Sequence, residues 1–200
     1  SVNSATGTAQ GLSTQGGAVR VPNSSTLRDC NVYYADFDGI ELGSSSASVI
    51  GCNVYYAGCT GIQSDQSLNL LVQNCDVEYS NYRHFDASWG AGGIKIIPNS
   101  TGTVTENQIA NNEGSGLWAD TDLSGGILVF SDNYVHGNIA KPVDYLSVLQ
   151  EGLWGEAGIK VEVSQNVQVE NNIVTGNGGN GILVAGAQYT SVQMNTVTNH

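Results

Sequence analysis

Lys95, Trp118, Asp120, Lys160 and Glu162 stand out in a chain where only 12% of residues are charged. They sit in three matched phrases: Gly93-Ile94-Lys95-Ile96, Gly116-Leu117-Trp118-Ala119-Asp120 and Gly158-Ile159-Lys160-Val161-Glu162. If each phrase is a strand, alternate residues face outward. Lys95, Trp118 and Lys160 then share one outward column, and Asp120 and Glu162 share the next. An indole face stacks on sugar C–H bonds while charged neighbours take the hydroxyls. In a lyase or epimerase version, Lys95, Lys160 or Arg83 neutralises a uronate carboxylate. In a hydrolase version, Asp120 and Glu162 are the acid and base, and their separation selects inversion or retention. The structural alternative is a solvated face of cross-coil salt bridges, each worth little. An open strip of this kind should accept Lys95→Ala and Trp118→Ala with thermal unfolding nearly unchanged.

A second set lies upstream. Tyr82, Arg83, His84 and Asp86 fall within five residues, and Tyr82 or His84 is placed to take a proton such as the C5 proton of a uronate. Trp89 and Trp154 each precede a glycine-rich return to a Gly-Ile-Lys strand, so both are candidate sugar platforms. Asp120 and Asp122, joined by Glu162 or Asp65, offer oxygen ligands for Ca²⁺.

These residues are positioned by a repeat. Gly17, Gly39, Gly61, Gly93, Gly116, Gly158 and Gly181 open seven similar phrases, separated by 22, 22, 32, 23, 42 and 23 residues. A period near 22 built from strand-like phrases predicts a solenoid, one coil per repeat. The fold expected is all-β: a right-handed, single-stranded parallel β-helix of about seven coils, one domain over 1–200 within a longer chain. The two long steps predict insertions at 81–92 and 139–157, both at one corner, where they would wall a groove. Within each coil, Cys30, Cys52, Cys75, Asn107, Asn133, Asn172 and Asn195 align. So do Ala35, Ala57, Ser80, Asn112, Asn138, Asn177 and His200. Stacked asparagines pair with one another and with corner backbone groups, and the three aligned cysteines suit a reduced, buried continuation of that line. Cys59 lies off it.

A formal charge of −12, with 18 acidic against 6 basic residues, argues against nucleic acid and anionic membrane as partners. An acidic sugar polymer would need a cation or a local Lys/Arg group. No apolar run is long enough for a membrane span. The Ser/Thr/Asn/Gly-rich, Lys-poor composition suits a secreted or cell-surface protein. Val192–Val197 is β-branched and uncharged, so further chain or an end-to-end neighbour is expected beyond the last coil.

The stretches "GLWADTD" (Gly116–Asp122), "GIKVEVS" (Gly158–Ser164) and their surroundings over roughly 88–198 resemble bacterial parallel β-helix repeat proteins of the pectate-lyase-like superfamily. That resemblance implies a right-handed coil with three parallel sheets. Enzymes of the group include polysaccharide lyases, mannuronan epimerases and glycoside hydrolases. No triple-Asp hydrolase set occurs, and Tyr82–Asp86 is only loosely similar to the epimerase string DPHE. The resemblance thus implies work on a polysaccharide without selecting a reaction. The expectation is a secreted polysaccharide-binding or polysaccharide-processing protein. The alternative is a non-enzymatic structural or adhesive module of a surface protein, fibre or filament.

Overall fold

Three parallel sheets of seven strands each make up the fold, seen in a computed structural model that describes residues 16–88, 90–139 and 156–199. Trp89, Trp154, His200 and all but the ends of the 139–157 insertion lie outside the described residues. The first sheet holds Val19–Val21, Ile40–Leu42, Thr60–Asp65, Gly92–Ile97, Ser115–Asp120, Ala157–Glu162 and Asn180–Ala185. The second starts with Thr26–Arg28 and the third with Asn31–Tyr33, and each takes one strand from every later coil. Every strand therefore pairs with its counterpart one coil away, as a right-handed parallel β-helix requires.

The inward column of the first sheet is Ile40, Ile62, Ile94, Leu117 and Ile159, all fully buried, continued by Ile182. Val49, Val72, Val104, Phe130 and Val169 fill the second sheet, and Val54, Val77, Ile109, Val135 and Val174 the third. They form one continuous apolar core along the axis. The repeated glycine has a steric reason. A Cβ on Gly93 would lie 2.5 Å from the Gly116 carbonyl oxygen and 2.9 Å from the Asn112 amide nitrogen. The chain turns into the first sheet through a space that holds no side chain.

Corners carry the polar load. Between the second and third sheets, the Asn107 amide donates to Asn133 at 2.9 Å, Asn133 to Asn172 at 3.0 Å, and Asn172 to Asn195 at 2.9 Å. Cys30, Cys52 and Cys75 continue this line, and the Cys75 N–H donates to Asn107 Oδ1 at 2.9 Å. All four cysteines are free thiols. Burial pushes the Cys75 thiol up to about 11, so it stays protonated and inert. A second ladder turns the third sheet into the first: Ser80 N–H to Asn112, Asn112 to Asn138, and Asn138 to Asn177. The third corner uses shorter side chains. Ser67 N–H donates to Ser100 Oγ, Ser100 N–H to Asp122 Oδ1, and Asp122 N–H to Ser164 Oγ.

Asn133 satisfies Asn107 N–H, the Asn107 amide and the Val104 carbonyl at once. Asn133→Leu strands these buried groups, each at roughly 1–3 kcal/mol. Denaturant unfolding should show a fall of at least that size, and an unchanged midpoint would mean that the ladder contributes nothing to register.

Candidate functional site

The outward column of the first sheet runs in register through all seven coils: Arg20, Glu41, Gln63, Lys95, Trp118, Lys160, Leu183. Asp120 pairs with Glu162 in the next column. The strip forms where the spacing placed it, but as a closed cluster. Lys95 Nζ lies 3.5 Å from the centre of the Trp118 indole and Lys160 Nζ 4.1 Å, approaching from the coils on either side. Lys95 Nζ is 2.9 Å from Asp120 Oδ2, and Lys160 Nζ is 3.1 Å from Glu162 Oε2. Lys95, Trp118 and Lys160 are 4%, 2% and 0% exposed. Desolvation lowers the Lys95 ammonium from its ordinary value, and the Asp120 charge opposes that shift. A desolvated cation over an indole gains about 2 kcal/mol. Burying two ammonium groups costs several kcal/mol each, which their carboxylates must offset. The cluster presents no open indole face to a sugar.

Neither candidate Ca²⁺ ligand faces the other. Asp120 accepts from Lys95 in the strip. Asp122 is buried at the third corner, where Oδ1 accepts from the Ser100 and Ser124 N–H groups. Among the described residues no three His, Cys, Asp or Glu side chains converge on one point. Asp120 and Asp122 thus form no Ca²⁺ ligand set with other described residues.

The first insertion lies at the second-ladder corner. Phe85 anchors it. Its ring meets Phe37 edge-on at 5.1 Å and packs with Cys59 and Ala91. Asn81 holds the turn by exchanging hydrogen bonds with the Phe85 backbone at 2.7 and 2.9 Å. Arg83 Nη1 reaches back to Asp36 Oδ1 at 2.9 Å. His84 Nδ1 meets Glu113 Oε2 at 2.7 Å. Tyr82 and His84 come together, whereas Arg83 turns to the opposite neighbour.

The result is an open groove of about 440 Å³, lined by Tyr56, Tyr79, Tyr82, His84, Asn111, Glu113, Gly137 and Ile139 together with the inner Ser80 and Asn112. Its origin is a corner column. The residue after each third-sheet strand is Tyr34, Tyr56, Tyr79, Asn111, Gly137, Gly176 and Asn199, and all seven have left-handed φ between 55° and 65°. The three tyrosines stack in parallel, 4.9 Å and 5.1 Å between ring centres. Beyond Tyr79 the column has no ring, and that gap is the groove. Left-handed backbone suits Gly and Asn but costs a Tyr about 1–2 kcal/mol. Tyr34 is 68% exposed and Tyr79 41%.

Tyr34, Tyr56, Tyr79 and Glu113 were not among the residues singled out from the sequence. The signal was present in "NVYYA", "NVYYA" and "DVEYS", where a tyrosine recurs two places after the inward valine. Glu113 carried no such sign, because its partner is 29 residues away.

With the geometry described, the family follows. Residues 16–197 match the family described as the right-handed beta helix region. That is nearly the whole chain, so the protein belongs to the right-handed β-helix family. No curated protein and no solved structure matches the chain.

Two measurements check this site. The buried Trp118 corrects the expectation that the strip can be trimmed freely: Trp118→Ala should cost about 3–5 kcal/mol in chemical unfolding, and an unchanged midpoint would mean an exposed indole. Under the first insertion, burial pushes the Asp38 carboxyl up to about 7, although it accepts from Thr60 N–H at 2.9 Å. The folded chain thus holds a proton that the unfolded chain has lost above about 4, so stability falls as pH rises from about 4 to about 7. Asp38→Asn keeps the acceptor and should flatten that fall. A parent and variant with parallel pH–stability curves would rule out the assignment.

Proposed function

We propose that the protein binds a polysaccharide at the corner groove beside the first insertion, as an extracellular or cell-surface β-helix module. The observation that carries this reading is the groove itself: exposed tyrosine faces on one side and the His84–Glu113 pair on the other, in a volume suited to sugar rings. Tyrosine rings supply apolar faces for C–H bonds. His84, Glu113 and the Tyr82 hydroxyl supply hydrogen bonds at the ring edges.

Binding is favoured over uronate elimination or epimerisation by what faces the groove. Those reactions call for a cation to neutralise the sugar carboxylate. The three candidates, Lys95, Lys160 and Arg83, are each paired with an acid and do not line the groove among the described residues. His84 retains the geometry of a general base, with Glu113 orienting its ring, so product analysis belongs in any test. A structural or adhesive module is the second reading, and the closed Lys95–Trp118–Lys160 cluster favours it.

Affinity electrophoresis against immobilised neutral and acidic polysaccharides separates the two. The parent should be retarded by at least one of them. Tyr82→Ala and His84→Ala should lose most of that retardation while keeping their unfolding midpoints, since both side chains are exposed. A parent that no polysaccharide retards, or variants retarded as strongly as the parent, would leave the structural role standing.

A further inference from the structure

Resting on that reading, the structure points to the chemistry of the sugar. We infer that the groove takes a pyranose ring without a carboxylate, stacked on the exposed part of Tyr79 that lines the groove beside Asn111.

One face of Tyr79 is covered by Tyr56 in nearly parallel stacking, 5.1 Å between centres and 13° between planes. Its other face looks toward the coils of Asn111 and Gly137, the next two residues of the column, neither of which carries a ring. The Asn111 amide, held by Glu78 at 3.4 Å, takes only part of the next layer; Tyr79, 41% exposed, lines the groove beside it, in a stack whose layers are 4.9 and 5.1 Å thick. A pyranose ring presenting its axial C–H face has that thickness, and it meets the ring in the manner aromatic platforms favour.

Charge selects among sugars. The groove lining contains Glu113 and no Lys or Arg among the described residues. Glu78, beside the column, holds the Asn111 amide at 3.4 Å. The chain as a whole carries −12. A uronate carboxylate placed here faces Glu113, and no lysine or arginine of the groove lining among the described residues offsets its desolvation. A neutral hexose or N-acetylhexosamine ring meets only hydrogen-bonding groups.

Asn and Gly occupy the same column in the four later coils, at the same left-handed φ. The fold thus has less strained residues available for this corner and carries tyrosine on the first three coils instead.

Calorimetric titration of the chain with a neutral glucan hexasaccharide, an N-acetylglucosamine hexasaccharide and an oligogalacturonate tests the inference. At least one uncharged oligosaccharide should bind about tenfold or more tightly than the uronate. Tyr79→Asn, which keeps the backbone and removes the ring, should weaken that binding about tenfold without lowering the unfolding temperature. Tyr79→Phe should bind like the parent. Tyr189→Asn makes the same change at a left-handed tyrosine on the last coil and should have no effect on binding. A uronate that binds as well as the uncharged sugars in a Tyr79-dependent way overturns the inference and leaves polysaccharide binding intact. Binding indifferent to Tyr79→Asn, or a Tyr79→Asn chain that unfolds at lower temperature, overturns the stacking role. Failure of all three sugars to bind removes this inference and the function on which it rests.

Discussion

Every coil of a parallel β-helix must turn three times, and at each turn buried backbone groups leave the sheet ladder without a partner. The side-chain ladders at the corners meet that need, and the rest of this structure depends on them. An asparagine presents one acceptor and two donors. It can therefore take the N–H of the preceding coil, bridge to the asparagine of the next, and cap a carbonyl within the core. Asn133 and Asn138 each do all three. Because every coil then hangs from the same atoms of its neighbour, an insertion between corners does not shift the register. The steps of 32 and 42 residues leave Gln63 directly opposite Lys95 and Trp118 directly opposite Lys160.

That registry explains what could be read from the chain and what could not. Seven glycines, with four of their six steps 22 or 23 residues long, exposed the period, and the alternation after each glycine separated the inward apolar residues from the outward column, residue by residue. Both asparagine columns were visible as aligned letters. The closing of the outward strip was not. Alternation says that Lys95 and Trp118 point away from the core, but it does not say that two long side chains will fold over one indole and exclude water. Nor does period reveal backbone conformation. Tyr34, Tyr56 and Tyr79 look like strand residues in "VYY" and "VEY", the β-propensity of tyrosine reinforcing that impression. Their left-handed φ comes from the corner, where all coils turn alike whatever residue stands there.

Electrostatics follows from scarcity. Six cations serve 18 acids. Among the described residues four of the cations are engaged: Arg20 with Glu41, Arg83 with Asp36, Lys95 with Asp120 and Lys160 with Glu162. The exposed pairs contribute little to stability. Their larger effect is on recognition, because a cation already bound to a neighbouring carboxylate attracts a polyanion weakly. With 18 acids to six cations the chain as a whole carries −12, which disfavours attraction of a polyanion.

The tyrosine column shows how a repeat fold shapes a groove by interrupting its repeat. Each left-handed tyrosine costs about 1–2 kcal/mol, and each stacked pair returns about 0.5–1.5 kcal/mol. Three tyrosines make two stacked pairs, so the column is at best near neutral for stability. Asparagine and glycine at the equivalent corners of the later coils avoid most of that strain. Folding alone therefore supplies no reason for rings on three successive coils that stop where the column turns to Asn111 and Gly137. The stop matters more than the rings, since a column continued to the end of the solenoid would cover every face but its last. Ended at the fourth coil, beside an insertion that adds Tyr82 and His84, it leaves part of an aromatic face open inside a walled groove. The two features that break the repeat, a missing ring and an added loop, meet at one corner because the ladders fix where each coil turns.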